Sequence, residues 1–101
     1  MACVASAGFP ALAVAHHSPA RFLEDQVVAI HGQVVELDWS NPHVYLALED
    51  ADGARWIFEG NATSNLRRLG WTRDSLQVGD TVTVRAHPDR DTRKNHGRML
   101  S

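Results

Sequence analysis

The chain has 101 residues, a length that supports one modest hydrophobic core and excludes a second domain. Its composition, with 44% hydrophobic and 22% charged residues, excludes a disordered or fibrous chain. The formal net charge of -2 gives no electrostatic reason to expect non-specific binding of nucleic acid, so nucleic acid is not an expected partner. Charge is uneven, with eight acids and two arginines between Arg21 and Glu59, and eight basic residues and four aspartates from Gly60 onward.

The N-terminal residues 1–15 have the pattern of a signal peptide. They are largely apolar and end in Ala13-Val14-Ala15, the small-x-small sequence of a signal-peptidase site. The run is too short to cross a membrane, so no membrane span is predicted. No Lys or Arg precedes it, and we expect the leader to begin upstream of Met1. The only cysteine, Cys3, lies in this leader. The mature protein is therefore expected to be periplasmic or secreted and free of disulfides.

Residues 16–26 are predicted to be an approach segment, and residues 27–101 one mainly β domain. Apolar residues alternate along the first strand and then change phase: they are Val28, Ile30, Gly32 and Val34, followed by Leu37 and Trp39. A change of phase after a strand glycine predicts a β-bulge. Asn41-Pro42 interrupts the strand, and His43–Glu49 alternates again. Its inward residues are Val44, Leu46 and Leu48, and its outward residues are His43, Tyr45 and Ala47.

Turn signals divide the rest of the chain into four short elements. Asp52-Gly53 predicts a hairpin into a third strand at 55–59. A brief helix at 62–69 is expected to end at Gly70, and a turn at 72–75 leads to a strand at 81–87. Residues 89–101 are polar, with only Met99 and Leu100 suited to burial, so the last strand is expected to be short or truncated. This order predicts a five-stranded barrel of the oligonucleotide/oligosaccharide-binding (OB) type, with one short helix between strands 3 and 4.

Several of these segments resemble a family of small exported bacterial proteins of unknown function. The matching segments are Ala15-His16-His17-Ser18, Trp39-Ser40-Asn41-Pro42-His43, Leu66-Arg67-Arg68, Gly70-Trp71-Thr72-Arg73-Asp74-Ser75-Leu76 and Gly79-Asp80. The resemblance extends from Ala15 to Arg85. It implies export and no assigned activity. The chain departs from the family pattern in lacking a charged leader and in ending where similar proteins continue with an apolar strand.

Three histidines are candidate metal ligands. Cleavage after Ala15 would leave His16 first, so that its amine and ring nitrogen chelate one ion and a further imidazole completes a nitrogen site suited to copper. Cleavage one residue earlier would place His17 third, where the amine, two backbone nitrogens and imidazole form a square-planar site. His43 is the candidate additional imidazole, because Asn41-Pro42 fixes a turn beside it. The alternative is a mobile peptide end with His43 bonded to that turn. No pattern of zinc ligands is present in the sequence.

A second candidate site lies on the outer face of the barrel. Tyr45, Trp39 and Trp56 are the candidate aromatic platforms. Arg55 and Arg85 are the candidate charged neighbours, and Asn41 is a further candidate ligand-binding residue. The alternative is that the large aromatic residues fill the core, which we expect for Trp39, Trp56, Phe58 and Trp71.

An enzyme is not expected. The strand carboxylates Glu36, Asp38, Glu49 and Glu59 lack an accompanying nucleophile or phosphate-loop motif. The sequence therefore predicts an exported, non-enzymatic binding module for an unknown small ligand, a glycan or an envelope protein. The alternatives are a periplasmic copper-binding protein, copper being the only cofactor suggested, and a structural or protein-interaction domain of the cell envelope.

Overall fold

The structure, a computed structural model, describes residues 20–101 as a closed five-stranded barrel. The elements are β1 (Val28–Asp38), β2 (Tyr45–Asp50), β3 (Arg55–Glu59), α1 (Thr63–Arg68), β4 (Thr81–Pro88) and β5 (His96–Met99). The strands follow the order β1-β2-β3-β5-β4, and β4 pairs back onto β1. The mainly β fold and the single short helix between strands 3 and 4 are confirmed.

The predicted bulge in β1 is confirmed, and it lets one strand serve two sides of the barrel. Val34 pairs with Leu48, whereas Glu36 pairs with Ala47, so Val35 is the extra residue. The preceding strand glycine, Gly32, has a steric role. A Cβ at this position would lie 2.5 Å from the backbone oxygen of Glu49. The bulge reverses the phase of β1, and this reversal turns the side chain of Leu37 towards the interior.

The hydrophobic core includes the inward positions Val34, Leu46 and Leu48 that the alternation predicted. Its members are Val34, Leu46, Leu48, Phe58, Val84 and Ala86, each at most 3% exposed. Phe58 is the largest fully buried side chain, and the ring of Trp56 stacks on it at 6.0 Å between centroids. Trp56 and Trp39 are half-buried.

Ala47 and Trp71 are buried to a different degree than their predicted positions suggest. Ala47, predicted to face outward, lines a depression on the outer face with Tyr45 and Ile57, yet it is only 4% exposed. Trp71 was predicted to be core but is 40% exposed. It follows the helix at the mouth of a surface cavity, and one of its faces remains in solvent.

The β2–β3 hairpin is confirmed, with a loop that changes the strand register. Asp50 and Ala54 are joined by a backbone hydrogen bond of 2.9 Å, so the loop contains three residues and ends at Gly53, whose φ is +81°. A two-residue Asp-Gly turn would have paired Tyr45 with Gly60. The three-residue loop instead pairs Tyr45 with Glu59, which fixes the neighbours of both side chains.

The fifth strand is present although its sequence is polar. β5 pairs parallel to β3 and antiparallel to β4, and it closes the barrel. Gly97 lies at its centre, where a Cβ would be 3.0 Å from the Cβ of Ala86 and 3.1 Å from the oxygen of His87. The expectation that Leu100 is buried is wrong, because this residue follows the strand and is 47% exposed.

Asn41 caps the helix from another part of the chain. Its Oδ1 accepts hydrogen bonds from the backbone N–H of Thr63 at 3.1 Å and from the Thr63 hydroxyl at 3.0 Å. The residue immediately before the helix, Ala62, has no side-chain oxygen to supply this bond. The loop between β1 and β2 thereby holds the start of α1 against the barrel.

The cap predicts the effect of replacing Asn41. We expect Asn41→Ala to lower the free energy of unfolding by about 1 kcal/mol, because two donors at the helix start lose their acceptor. For a domain of this size the corresponding fall in Tm is roughly 4–8 °C. Thermal unfolding followed by circular dichroism measures it. Asn41→Asp keeps an acceptor oxygen and serves as the control, so an equal loss in both variants would contradict the capping role.

The segment before β1 is attached to the barrel through Asp89. The Asp89 carboxylate is 4% exposed and accepts hydrogen bonds from Arg21 Nε at 3.2 Å and from the backbone N–H of Asp91 at 2.8 Å. Phe22 forms a β-bridge with Asp89, and Arg90 donates to the oxygen of Arg21 at 2.7 Å. Burial alone would raise the pKa of Asp89, but the Asp91 N–H and the Arg21 guanidinium outweigh it and lower that pKa.

The lowered pKa of Asp89 predicts that the free energy of unfolding depends on pH. Because its folded-state pKa is lowered, its contribution is complete above pH ~4 and is lost as the pH falls through the lowered value. We expect Asp89→Asn to cost about 1–2 kcal/mol at neutral pH, with the difference from wild type narrowing in acid. Urea unfolding across a pH series measures both effects. Asp25→Asn, which removes an exposed carboxylate, is the control, and a difference that stayed constant down to pH ~2 would contradict this role of Asp89.

Candidate functional site

An apolar cavity opens at the end of the barrel beneath α1. It has a volume of about 100 Å³ and is half enclosed. Its apolar lining includes Leu37, Trp39, Leu46, Leu66, Trp71 and Leu76. Leu37 comes from β1 after the bulge, and Trp39 directly follows that strand. Leu46 lies in β2, Leu66 lies in α1, and the segment after the helix supplies Trp71 and Leu76. Segments that are distant in sequence therefore meet at one place.

The end of α1 determines where Trp71 lies. Trp71 N–H donates to the oxygen of Leu66 at 2.9 Å and Gly70 N–H to that of Arg67 at 2.9 Å, the two bonds of a Schellman motif. Gly70 takes the left-handed conformation that the motif requires, with φ of +94°. The motif returns the chain so that Trp71 lines the same cavity as Leu66. The predicted stop at Gly70 is thus confirmed.

The cavity is small for a ligand site. Sites for small molecules and cofactors have volumes of about 300–1,000 Å³, and an engineered cavity that binds benzene has a volume of about 150 Å³. At about 100 Å³, the cavity has room for part of a side chain or a few methylene groups. It is therefore better suited to surface contact than to enclosing a free ligand.

A more polar pocket adjoins the cavity and shares Asn61, Met99 and Leu100 with it. Its other lining residues are Phe22, His43, Glu59, Gly60 and Arg98. The imidazole of His43 is fixed by a 3.1 Å contact between Nδ1 and the backbone oxygen of Gly60. A carbonyl oxygen only accepts, so Nδ1 is the ring nitrogen that donates to Gly60, and Nε2 is the second ring nitrogen. This nitrogen lies 3.6 Å from Glu59 Oε1, and the His43 side chain is 46% exposed.

Glu59 is the centre of this polar cluster. Tyr45 donates its hydroxyl proton to Glu59 Oε1 at 3.3 Å across the β2–β3 pair. The charge of Glu59 is the main cause that raises the pKa of Tyr45, followed by burial and by the hydrogen bond itself. The phenol therefore stays protonated as a donor. The cluster places the Glu59 carboxylate between the Tyr45 hydroxyl and Nε2 of His43.

The chain matches DUF6152, a family of unknown function, over residues 2–98. It belongs to this family. No curated protein matches the chain. The prediction of membership in a family without an assigned function is confirmed, whereas export and bacterial origin stay predictions.

Of the three candidate metal ligands of this DUF6152 protein, the structure describes one. His16 and His17 lie outside the described residues, and His43 lies in the polar pocket. Within residues 20–101 no group of three or more His, Cys, Asp or Glu side chains is placed to hold a metal ion. A metal site using His43 would therefore need ligands from before Ala20.

Other imidazoles of the DUF6152 domain differ from His43. His96 Nδ1 lies 2.7 Å from the guanidinium of Arg21, so its lone pair is already used as an acceptor. His87 Nδ1 lies 2.7 Å from the oxygen of Gln26, which fixes its ring as the Gly60 oxygen fixes that of His43. His43 differs from His87 in having a carboxylate beside its Nε2.

The four candidate residues of the outer face do not form one site in the described structure. Trp39 lines the apolar cavity, and Tyr45 lines a separate depression over Ala47 and Ile57. Asn41 Oδ1 is used to cap α1, and Arg85 lies exposed on β4. Tyr45 has the predicted outward orientation and is 39% exposed. Binding by these residues stays a prediction.

Sequence reasoning missed the pairing of Glu59 with His43 and Tyr45. The sequence held one usable signal, the Asp52-Gly53 turn, which predicts the β2–β3 hairpin but not the three-residue loop that sets its register. The contact of His43 with the Gly60 oxygen had no local signal, because it depends on the chain bend that follows β3.

Among the described residues no helix is long and apolar enough to cross a membrane.

Proposed function

We propose that this protein is an exported, non-enzymatic binding module whose ligand is a copper ion held by His43 and by the processed N-terminus. The observation that supports this best is the geometry of His43. Metal-binding histidines almost always donate their second ring N–H to a carbonyl or carboxylate, which orients the ring. His43 has this arrangement with Gly60, it lines the polar pocket, and its Nε2 lies 3.6 Å from Glu59 Oε1.

The chain before the barrel is long enough for the N-terminal histidines to reach this pocket. Phe22 lines the pocket together with His43, and its segment is attached to the barrel through Asp89. His17 precedes Phe22 by five positions, with four residues between them. An extended chain spans about 3.5 Å per residue, so His17 can be displaced by up to about 17 Å from Phe22. That distance is enough to cross a surface pocket.

The donor set favours copper. Cleavage after Ala15 makes His16 the first residue, whose amine and ring nitrogen can take two positions on one ion. This chelate leaves a position for His43 Nε2, and three nitrogen donors suit Cu(II). Glu59 adds a negative charge beside the pocket that attracts a divalent cation. Cleavage one residue earlier, which leaves Ala15 first, would complete a square-planar site without His43. The fixed orientation of the His43 ring would then have no role in metal binding.

Two variants of the mature protein test the role of His43. We expect wild type to bind one Cu(II), and His43→Ala to bind it at least ten-fold more weakly. His87→Ala is the matched control, because His87 also contacts a backbone oxygen through Nδ1 but lacks a neighbouring carboxylate. Competition titration with a chelator of known copper affinity measures both. Equal affinities for wild type and His43→Ala would contradict the proposal.

A role as an interaction domain of the envelope is the second candidate. It is favoured by the exposed apolar side chains around the cavity, which are Leu69 at 72%, Trp71 at 40% and Leu100 at 47% exposed. If the protein ignores copper, pull-down with envelope proteins and screening against glycans become the appropriate experiments.

A further inference from the structure

Glu59 is a largely buried carboxylate that no lysine or arginine of residues 20–101 pairs with. Its side chain is 19% exposed. Arg98 is its neighbour on β5, but the Arg98 guanidinium donates instead to Glu24 Oε1 at 2.8 Å. Nε2 of His43 lies 3.6 Å from Glu59 Oε1, which is too long for a hydrogen bond. Removing a carboxylate from water costs free energy, and a bound cation would offset this cost.

The backbone holds His43 and Glu59 on paired segments of one pocket. Gly60 N–H donates to the oxygen of Val44 at 2.6 Å, and Val44 N–H donates to that of Asn61 at 3.0 Å. The residues that follow His43 and Glu59 are therefore joined by two backbone hydrogen bonds. The contact of His43 Nδ1 with the Gly60 oxygen at 3.1 Å also fixes the imidazole ring. Both side chains line the polar pocket, so the separation between them is set by the fold.

We propose that Glu59 is the fourth ligand of the copper site and binds the ion through a carboxylate oxygen. This inference rests on the proposed function, in which His16 supplies two nitrogen donors and His43 supplies a third. Three donors leave one position of a four-coordinate ion open. Cu(II) favours square-planar or tetragonal sites built from nitrogen and oxygen donors, so a carboxylate oxygen suits that position.

The distance between the two donor atoms fits binding to one ion. Imidazole nitrogens and carboxylate oxygens lie about 2.0–2.2 Å from a divalent ion such as zinc, and similar lengths apply to its neighbours in the series. Two such ligands are about 3 Å apart when they bind at a right angle and about 4 Å apart when they bind on opposite sides. The 3.6 Å between His43 Nε2 and Glu59 Oε1 lies between these limits. One ion can therefore contact both side chains with little movement of either.

The hydroxyl of Tyr45 orients the Glu59 carboxylate. It donates to Glu59 Oε1 at 3.3 Å. A carboxylate has about four lone-pair positions, so this hydrogen bond leaves others for a metal ion. Carboxylates that bind metals are themselves hydrogen-bonded in this way, which makes Tyr45 a positioning residue. The alternative is that Glu59 attracts a cation by its charge alone, without binding it.

Copper titration combined with electron paramagnetic resonance of the mature protein tests this assignment. We expect Glu59→Gln to bind Cu(II) at least ten-fold more weakly than wild type and to change the Cu(II) spectrum, because a ligand is lost. Glutamine keeps the size of the side chain and an oxygen for Tyr45, so the variant is expected to fold. Tyr45→Phe should weaken binding about five-fold, the effect of one hydrogen bond. Glu49→Gln removes an exposed carboxylate of β2 and is the matched control, expected to bind like wild type.

The outcomes distinguish this inference from the proposed function. If wild type binds copper through His43 but Glu59→Gln keeps both the affinity and the spectrum, Glu59 is not a ligand and the inference alone is overturned. A weaker affinity with an unchanged spectrum overturns it too, because Glu59 would then act only through its charge. If wild type binds no copper, the proposed function itself fails and the inference fails with it.

Discussion

Replacing Phe58 with alanine is expected to lower the free energy of unfolding by about 4 kcal/mol. Phe58 is fully buried and is the largest such side chain in the described structure. It lies in β3 at the centre of the barrel, and Trp56 stacks on its ring. The substitution removes apolar contacts and leaves a cavity that a closed barrel cannot easily collapse. Since small domains are stable by only about 5–15 kcal/mol, much of the fold's stability depends on this ring.

Urea unfolding followed by far-ultraviolet circular dichroism measures the loss. Tryptophan fluorescence is less suitable, because Trp56 contacts the substituted ring and its emission will change for local reasons. Phe58→Leu is the control and should cost less than about 1.5 kcal/mol, because it keeps most of the apolar volume. Similar losses in the two variants would show that the aromatic ring is not the central element of the core.

Extending the mature N-terminus by three glycines is expected to weaken copper binding roughly 100-fold. The extension moves the free amine away from His16 and so removes the chelate on which the proposed site depends. One glycine would be a poor test, because Gly-His16-His17 places a histidine third and creates a different amine-and-imidazole site. Isothermal titration against a competing chelator measures the change. Unaltered affinity in the extended protein would mean that copper binds elsewhere.

Much of the barrel could be predicted because short sequence patterns specify its strands and turns. Alternation identified the inward residues Val44, Leu46 and Leu48, the phase change identified the bulge, and Gly70 marked the helix end. β5 was harder to predict because it is short and paired on both sides, so no alternation marks it. Its place depends on the fit of Gly97 against Ala86, a contact between distant segments.

The candidate site was predictable only in part. His43 was identified from the turn before it, but its partner Glu59 depends on strand register, and the three-residue loop ending at Gly53 sets that register. Ligand binding by Asn41 stays a prediction, and nothing in the sequence indicated the hydrogen bonds by which its oxygen caps a helix that begins 22 residues later. The exposure of Trp71 follows from the hydrogen bonds of the Schellman motif. These bonds cannot be recognised in the sequence, which shows only an aromatic residue after a glycine.

Mass spectrometry of the intact mature protein, secreted from the full-length gene in copper-containing medium, tests the central claim most directly. Denaturing spectra give the first residue, and native spectra give the bound metal. The account predicts a chain that begins at His16 and carries one copper ion, which is lost in His43→Ala. A mature chain that begins elsewhere, or one that begins at His16 and binds no copper, would contradict it.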